Sequence, residues 1–379
     1  MRKRLRTIWC GTTIALLLST AFYLAQSVEA ATKSAVRGFN TRQLIDFVDD
    51  QSAGRNLTEA IAAIDESGAG IHRLTVYWAD VQPNSPSDWD WGRYDTVISQ
   101  LEAKGLRVIL NPMGSPDWAR IEQRQNGNPR AHPSLAFVRA GYWNTFVRML
   151  AERYPNAFAF EIWNEQNSQP FWDPTPTHHA PNPRQWTDLF CRAAREIRSV
   201  RAGALVGVGG LAPYTQTRLP RQYQASEFLQ AAYDAGLNEC GVSFVGYHPY
   251  LINAFCAGRN PAFAETGTIK ELKRVHRVAA AHRRTLKIWN TEWGFPSHSF
   301  AVSATRTCGY TPQRQANMIR REYNYLATLA FVRFSIYFNV RDDADAPPCG
   351  SSTLPFATIG LQNCRWDPKP SFDVWKSLP

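Results

Sequence analysis

The feature that most constrains the fold of this chain is a repeated alternation between short apolar runs and amphipathic stretches. The runs are rich in Val and Ile, as is typical of strands buried on both faces. The predicted strands are Ile71–Trp78, Leu106–Met113, Phe158–Trp163, Leu205–Leu211, Phe244–Tyr250, Lys287–Glu292 and Phe334–Asn339. The predicted helices are Leu57–Glu66, Tyr94–Lys104, Leu135–Arg153, Pro183–Val200, Ser226–Ala235, Ile269–His282 and Pro312–Ala330, with a short closing helix within Pro368–Pro379. This alternation predicts parallel βαβ units.

An eighth strand is needed upstream of the Leu57 helix to complete the set. Val36–Asn40 is the candidate, and Phe47-Val48 is an open alternative. Eight such units close into a barrel whose active site lies at the carboxyl ends of the strands. A doubly wound open sheet is the other possibility, but the cluster Gly207–Gly210 comes too late for its phosphate loop and lacks the pattern. We therefore predict an α/β fold, a single (β/α)8 TIM barrel.

The N-terminal residues have the pattern of a secretion signal. A basic start (Arg2, Lys3, Arg4, Arg6) is followed by an apolar stretch from Ile8 to Leu24 and by the small-residue pattern Val28-Glu29-Ala30. We predict a signal peptide over residues 1–30, one domain over residues 31–379, and a secreted or periplasmic location. The alternative is an uncleaved anchor, because the apolar run is nearly long enough to span a membrane. Membrane contact would then be limited to this segment.

The cysteines favour disulfides. Loss of Cys10 with the leader leaves an even number, which in an exported chain indicates pairing. Proximity in sequence suggests Cys191–Cys240, Cys256–Cys308 and Cys349–Cys364, and other pairings stay open. A zinc site is the competing interpretation, but no CxxC or HxxxH spacing supports it. We predict no metal and no cofactor.

The net charge of +10 is spread along the chain without a dense Lys/Arg run. A basic surface permits an acidic glycan, a cell wall or nucleic acid as partner. Dispersed charge is nevertheless typical of a solvated surface, and no nucleic-acid-binding module is present. We predict a monomer with no nucleic-acid partner.

Two carboxylates end predicted strands, and these positions lie at the barrel mouth. Glu165 follows Trp163-Asn164, and Glu292 precedes Trp293-Gly294. A buried carboxylate is costly unless it is paired or functional. Cleavage of a glycosidic bond needs such a pair, one to protonate the leaving oxygen and one to attack the anomeric carbon. Helix capping or structural ion pairing is the alternative for either residue alone.

Other segments accompany the two carboxylates in a fixed order along the chain. They are Arg73–Trp78, Trp89–Asp95, Gly114–Ala119, Trp163–Glu165, His248–Tyr250 and Thr291–Gly294. With these segments, the chain resembles clan A glycoside hydrolases from about Ala69 to Lys376. It resembles most closely the family 39-like group of xylosidases, iduronidases and exopolysaccharide-cleaving endoglycosidases.

The resemblance implies a retaining mechanism with Glu165 as acid/base and Glu292 as nucleophile. By the same resemblance Arg73 would stabilise the Glu292 carboxylate, Tyr250 would donate a hydrogen bond to it, and Asn164 would bind the sugar 2-hydroxyl. An ion-pair role at a strand end is the structural alternative for Arg73.

His248, Trp118 and Trp293 are implied to line the sugar subsites, although each also fits an ordinary core position. The strand-eight tryptophan of many clan relatives is not evident here, and Tyr337 is the candidate replacement. The accessory β-sandwich of many exo-acting relatives is not recognised, which favours an endo-acting enzyme with an open cleft.

The expected function is therefore hydrolysis of β-glycosidic bonds in an extracellular or cell-wall polysaccharide, with that polysaccharide or its oligosaccharides as the partner. Two rival functions stay open. A non-catalytic carbohydrate-binding barrel would keep the fold without turnover. A transglycosylase would use the same residues with a sugar in place of water as acceptor.

Overall fold

The computed structural model describes residues 35–49, 56–120, 138, 141–172, 180–251, 262–303, 306–308, 310–352 and 354–379. Eight parallel strands form a closed barrel in the spatial order β1-β8-β7-β6-β5-β4-β3-β2. The strands are β1 (Val36–Phe39), β2 (Ile71–Tyr77), β3 (Arg107–Met113), β4 (Ala159–Ile162), β5 (Val206–Leu211), β6 (Val245–Tyr247), β7 (Ile288–Asn290) and β8 (Val332–Tyr337). The predicted TIM barrel is confirmed.

Helices connect the strands on the outside of the barrel. The longer ones are α1 (Leu57–Glu66), α2 (Gly92–Ala103), α3 (Tyr142–Arg153), α4 (Pro183–Val200), α5 (Ala225–Asp234), α6 (Gly267–His282), α7 (Pro312–Ala327) and α8 (Pro370–Lys376). Short α-helical turns occur at Asp46–Asp49, Trp78–Val81 and Gln169–Trp172, and 3-10 turns at Arg42–Leu44, Asp117–Ala119, Leu237–Cys240 and Phe263–Glu265. An antiparallel hairpin of Phe300–Ser303 and Arg306–Cys308 follows β7 and was not predicted.

Local sequence signals set several helix starts. The side chains of Asn56, Asn182 and Thr311 accept hydrogen bonds from backbone amides of the first turns of α1, α4 and α7. Proline follows the cap in α4 and α7, where its missing amide costs nothing. Of the predicted helix Leu135–Arg153, the described part forms α3, which begins after Gly141, a residue with a left-handed φ of 87°. The predicted start at Leu135 lies outside the described residues.

The barrel interior is layered. Side chains alternate across a strand, so every second residue points inward. The amino-terminal layer is apolar and contains Ile71, Ile109, Ala159, Phe244, Trp289, Phe334 and Ile336. Two residues further along β2 and β4 the inward positions are Arg73 and Glu161, both fully buried. The chemistry-bearing groups therefore stand on a rigid apolar floor and face the carboxyl ends of the strands.

The predictions for the first strand and for the disulfides agree with the structure where the residues concerned are described. β1 coincides with the Val36–Asn40 candidate, whereas Phe47-Val48 lies in a short helical turn. Disulfides link Cys191 to Cys240 and Cys349 to Cys364, with Cα–Cα distances of 5.0 and 6.1 Å. Cys256 lies outside the described residues, so its pairing with Cys308 stays a prediction, as does the signal peptide over residues 1–30. No helix in the described part of the chain has the length and apolar character needed to cross a membrane.

Candidate active site

A cavity of 340 Å³ lies at the carboxyl ends of the barrel strands. It is lined by Asn40, Thr75, Tyr77, Met113, Asn164, Glu165, Phe171, Tyr250, Glu292, Phe338 and Phe356. Most of these residues lie at the end of a barrel strand or shortly after it, the region where TIM barrels place their active sites. The fold thus brings both predicted carboxylates into one pocket.

The end of β4 has an unusual backbone that positions Glu165. Trp163 and Glu165 have φ angles of 72° and 46°, in the left-handed region that non-glycine residues rarely occupy. The Glu165 amide donates to the Gly210 carbonyl at 2.8 Å. A side chain at Gly209 would collide with the Trp163 carbonyl, so the glycines of β5 allow this close approach. Strained residues of this kind cluster at functional sites.

Glu292 is held by three donors. Asn40 Nδ2 and Arg73 Nη1 each donate to Oε1 at 2.8 Å, and the Tyr250 hydroxyl donates to Oε2 at 3.1 Å. Its side chain is 15% exposed. These donors suit a carboxylate that carries negative charge, and they fix its orientation within the pocket.

The ionisation of the two principal donors is set by their surroundings. Burial alone would lower the pKa of the Arg73 guanidinium, but the carboxylates of Glu161 and Glu292 raise it above its ordinary value. Burial, and then the charges of Glu292 and Glu165, raise the pKa of Tyr250 well above its ordinary range. Arg73 therefore remains a cation and Tyr250 a hydroxyl donor.

Glu165 has a different environment. Its Oε1 lies 2.9 Å from His248 Nδ1, and the same nitrogen is 3.7 Å from Glu292 Oε2. One carboxylate oxygen from each glutamate and this imidazole nitrogen lie within 4.8 Å of one another. His248 thus lies beside both carboxylates. Its imidazole has room there because Gly210 has no side chain, and a side chain at that position would collide with the ring.

These three side chains also form the group of His, Cys, Asp and Glu residues within the described ranges that could hold a metal ion. One imidazole and two carboxylates would suit Zn²⁺. In this structure the imidazole Nδ1 instead contacts Glu165. The geometry does not decide between these two uses of the imidazole, and the expected absence of a metal stays a prediction.

Two residues that contact the predicted ones were not assigned from the sequence. Glu161 accepts from Arg73 Nε at 2.9 Å and from Thr291 Oγ1 at 2.9 Å, and it is fully buried. Asn40 bonds Glu292 from the end of β1. Their signal in the sequence is a lone polar side chain at an inward strand position, which costs stability unless it is paired.

The other predicted residues divide into two groups. Asn164 lines the cavity, and its Oδ1 accepts from Arg73 Nη2 at 2.8 Å. Trp118 instead donates from Nε1 to the Gln82 carbonyl at 2.9 Å, and Trp293 is fully buried with its ring 5.2 Å from that of Tyr337. Neither tryptophan is among the residues that line the cavity. The fold therefore does not bring Trp118 or Trp293 to the cavity that contains Glu165 and Glu292.

The replacement residue expected on strand eight is also part of the core. Tyr337 is fully buried and donates from its hydroxyl to the Ile359 carbonyl at 2.8 Å. The next residue, Phe338, lines the cavity together with Phe356 from the loop that follows β8. Aromatic surface in this part of the pocket thus comes from phenylalanines.

The chain is similar to known glycosidases in sequence pattern and in fold. Residues 28–321 match the family model described as cellulase, glycosyl hydrolase family 5. A family 39 glycoside hydrolase from Bacteroides cellulosilyticus WH2 is similar in structure, with a TM-score of 0.63, 17% identity, and coverage of 90% of this chain and 63% of that one. The family 39 enzyme from Xanthomonas axonopodis pv. citri is also similar, with a TM-score of 0.60 and 20% identity. The match covers 91% of this chain and 65% of that one.

A third similar structure is GH5_18 from Streptomyces cattleya in complex with GlcNAc, with a TM-score of 0.62 and 17% identity over 90% of this chain and 79% of that one. At these identities the likeness shows the shared barrel. The chain spans less than two thirds of the length of the two family 39 enzymes. No curated protein sequence matches it significantly.

The expected resemblance to clan A is confirmed, and family 39 enzymes are among the similar structures. The family match covers well over half of the chain and includes both carboxylates. This chain therefore belongs to the family described as cellulase, glycosyl hydrolase family 5, which is part of clan A.

Proposed function

We propose that this hydrolase cleaves β-glycosidic bonds inside an extracellular or cell-wall polysaccharide by double displacement, with Glu292 as nucleophile and Glu165 as acid/base. The observation that carries the proposal is the unequal environment of two adjacent carboxylates. Glu292 accepts from a permanent cation and two neutral donors, whereas Glu165 contacts the His248 imidazole. Retaining glycosidases need two carboxyl groups whose surroundings give them different roles.

The spacing of the two groups supports direct attack. Oxygens of Glu165 and Glu292 lie within 4.8 Å, close to the roughly 5–5.5 Å typical of retaining enzymes and shorter than the roughly 6.5–9.5 Å that admits a water. In the first step Glu292 forms a bond to the anomeric carbon while the leaving oxygen takes the Glu165 proton. In the second step Glu165 accepts a proton from water, whose oxygen displaces Glu292.

Asn164 supplies a contact that strengthens during these steps. Its Oδ1 accepts from Arg73, and its amide nitrogen has no hydrogen-bond acceptor among the described residues, so this nitrogen can donate toward the cavity that Asn164 lines. A donor next to Glu292 suits the sugar 2-hydroxyl, whose hydrogen bonds strengthen as positive charge develops on the ring. Arg73 thereby positions both Asn164 and Glu292.

The shape of the pocket supports an endo-acting enzyme. Phe171 follows β4 and Phe356 follows β8, and these two strands lie on opposite sides of the barrel. Aromatic side chains therefore border the cavity on opposite sides of the carboxylates. Such an arrangement suits a chain of several sugars that crosses the pocket better than a single terminal sugar.

A location outside the cytoplasm is part of the proposal. The disulfides Cys191–Cys240 and Cys349–Cys364 are typical of exported proteins. They agree with a signal peptide over residues 1–30, which would leave a single catalytic domain over residues 31–379.

The direct test measures release of reducing ends from a panel of neutral and acidic β-linked polysaccharides. We expect wild type to act on at least one glycan, Glu292→Gln to lose that activity, and Glu152→Gln, a change on the exposed side of α3, to keep it. NMR of the first product should show the β anomer. Activity that survives in Glu292→Gln, or a first product with the α anomer, would refute the mechanism.

Azide rescue separates the two roles. In Glu292→Gly, azide would occupy the place of the nucleophile and give the α-glycosyl azide from a substrate with a good leaving group. In Glu165→Ala, azide would attack the glycosyl-enzyme from the opposite face and give the β-glycosyl azide. Exchange of these two products between the variants would reverse the assignment.

A further inference from the structure

We propose that the outer face of α6 is a second carbohydrate site, which binds an acidic, carboxylate-bearing polysaccharide. The inference rests on the proposed function, since it names the class of polymer that the hydrolase takes. The site, called here the α6 basic face, consists of Lys270, Lys273, Arg274, His276, Arg277 and Phe331.

The charge of this segment is strongly one-sided. From Thr266 to Lys287 the chain has seven Lys and Arg residues and a single acidic residue, Glu271. Glu271 is fully buried, where it accepts from the Ser226 amide at 2.7 Å and pairs with Arg274 at 3.1 Å. The negative charge thus lies inside the protein and the cations lie on the surface.

Some of these cations lack a carboxylate partner. Lys270 pairs with the exposed Glu265 at 3.2 Å. Within the described ranges no carboxylate lies within 4.0 Å of the charged nitrogens of Lys273 or Arg277. Their spacing along α6 places Lys270, Lys273, Arg274 and Arg277 on one side of the helix. This side can therefore bind several anionic groups at once.

The shape of the face suits sugar rings as well as charge. The cations surround a shallow depression whose apolar wall is Phe331. His276 stacks on this ring with a centroid distance of 4.0 Å and an interplanar angle of 12°. A flat ring surface bordered by cations offers contact to the apolar face of a sugar and ion pairing to its carboxylate.

The face connects to the catalytic pocket through the first turn of α6. The Thr268 carbonyl accepts from the Tyr247 hydroxyl at 3.0 Å, and Thr268 Oγ1 donates to the Tyr250 carbonyl at 3.5 Å. Tyr250 in turn contacts Glu292. With a rise of about 1.5 Å per residue, Arg277 lies about 14 Å along the helix from Thr268. The first turn of α6 therefore lies beside the pocket, and the basic face lies farther along the same helix, next to Phe331 at the amino end of β8.

A membrane surface is a less suitable occupant. Surfaces that bind lipid combine cations with exposed Trp, Phe or Leu side chains that enter the bilayer. The exposed large hydrophobic side chains in the described part of the chain are Val200, Leu205, Leu219, Leu354 and Phe356. None belongs to α6 or to its neighbour α7, so the face offers charge without an inserting group.

The test is affinity electrophoresis of the full chain in native gels that contain polygalacturonate or neutral hydroxyethyl cellulose. The variant Lys270→Gln/Lys273→Gln/Arg277→Gln removes two exposed cations and the half-buried Lys273 but keeps Arg274, the partner of buried Glu271. The matched control Arg148→Gln/Arg184→Gln/Arg195→Gln removes three exposed cations from α3 and α4. Both variants have the same net charge.

We expect polygalacturonate, but not the neutral polymer, to retard wild type and the control. The α6 variant should bind about tenfold more weakly, the effect of losing three surface ion contacts. Equal weakening in both variants would assign the binding to net charge and overturn the proposal. So would binding to phosphatidylglycerol vesicles without retardation by polygalacturonate. Because this assay needs no turnover, retardation without hydrolysis of any glycan would refute the proposed function and leave the face in place.

Discussion

Arg73 and Glu161 form an ion pair at 2.9 Å in which both side chains are fully buried. The pair lies between the apolar floor of the barrel and the pocket, and Arg73 extends from it to Glu292 and Asn164. A buried pair is not in itself strong evidence for stability, since desolvation offsets the attraction. Its position indicates that Glu161 orients the guanidinium on which the proposed nucleophile depends.

Removal of Glu161 should therefore destabilise the protein as well as the site. We expect Glu161→Ala to lower the free energy of unfolding by about 3–5 kcal/mol, because it leaves a cation buried without its main partner. The control Lys104→Ala breaks an exposed pair with Asp65 and should cost at most about 1 kcal/mol. Urea unfolding measures both values. Similar losses in the two variants would contradict the role given to Glu161.

Tyr250 provides a test of the donor set around Glu292. Tyr250→Phe should lower kcat/KM about 10–100-fold, the value of a hydrogen bond to a charged group. Burial raises the pKa of Tyr250 well above its ordinary range, so the hydroxyl stays protonated throughout the neutral range. The ratio of wild-type to variant kcat/KM should then be constant between about pH 6 and pH 9. The control is Tyr223→Phe, a change in a half-buried tyrosine whose ring packs against Phe228 and does not line the cavity. A ratio that falls over this interval, or an equal loss in the control, would contradict the assignment.

Glu322, which lies away from the pocket, should make the free energy of unfolding depend on pH. It is fully buried on α7, and neither carboxylate oxygen has a hydrogen-bond partner in the described structure. Burial raises the pKa of Glu322 well above its ordinary value. The folded protein thus keeps the proton after the unfolded chain has lost it. Stability from this group is therefore present below the unfolded pKa and decreases as pH rises, by about 1.4 kcal/mol per unit.

Glu322→Gln removes this titration. The stability of the variant relative to wild type should increase as the pH rises from about 5 to about 7. Urea unfolding at the two pH values gives the comparison, and the exposed change Glu152→Gln should show no such trend. A relative stability of Glu322→Gln that is independent of pH would show that the carboxyl is ionised in the folded protein.

The sequence predicted the barrel because its signal is repetitive and local. Each apolar run has the composition of a buried strand, and the bounds of α1 and α4 agree with those read from the residues. The hairpin at Phe300–Ser303 was missed because its strands are too short for a pattern of period two. Contacts such as Asn40 with Glu292 were missed because they depend on which strands become neighbours when the barrel closes.

The tryptophans show that a position next to a catalytic candidate in sequence does not by itself predict a position in the pocket. Trp293 was grouped with Glu292 because the two are adjacent in sequence. Consecutive residues at the end of a strand point to opposite sides, so the residue beside a pocket-facing Glu292 enters the core, where Trp293 meets Tyr337 and Trp375. Phe356 had no signal of this kind, since it lies in the long loop after β8 and is brought to the pocket by tertiary structure.

Phe356 therefore offers a test of how the pocket binds a polymer. Its ring is 51% exposed and lies 5.2 Å from the ring of Tyr250 in an edge-on arrangement. We expect Phe356→Ala to raise KM for the polysaccharide about three- to tenfold through loss of aromatic contact, with kcat unchanged because the contact is equal in the ground and transition states. Leu354→Ala removes a more exposed side chain of the same loop, one that does not line the cavity, and should leave KM unchanged. A fall in kcat at constant KM would instead make Phe356 a residue that positions Tyr250.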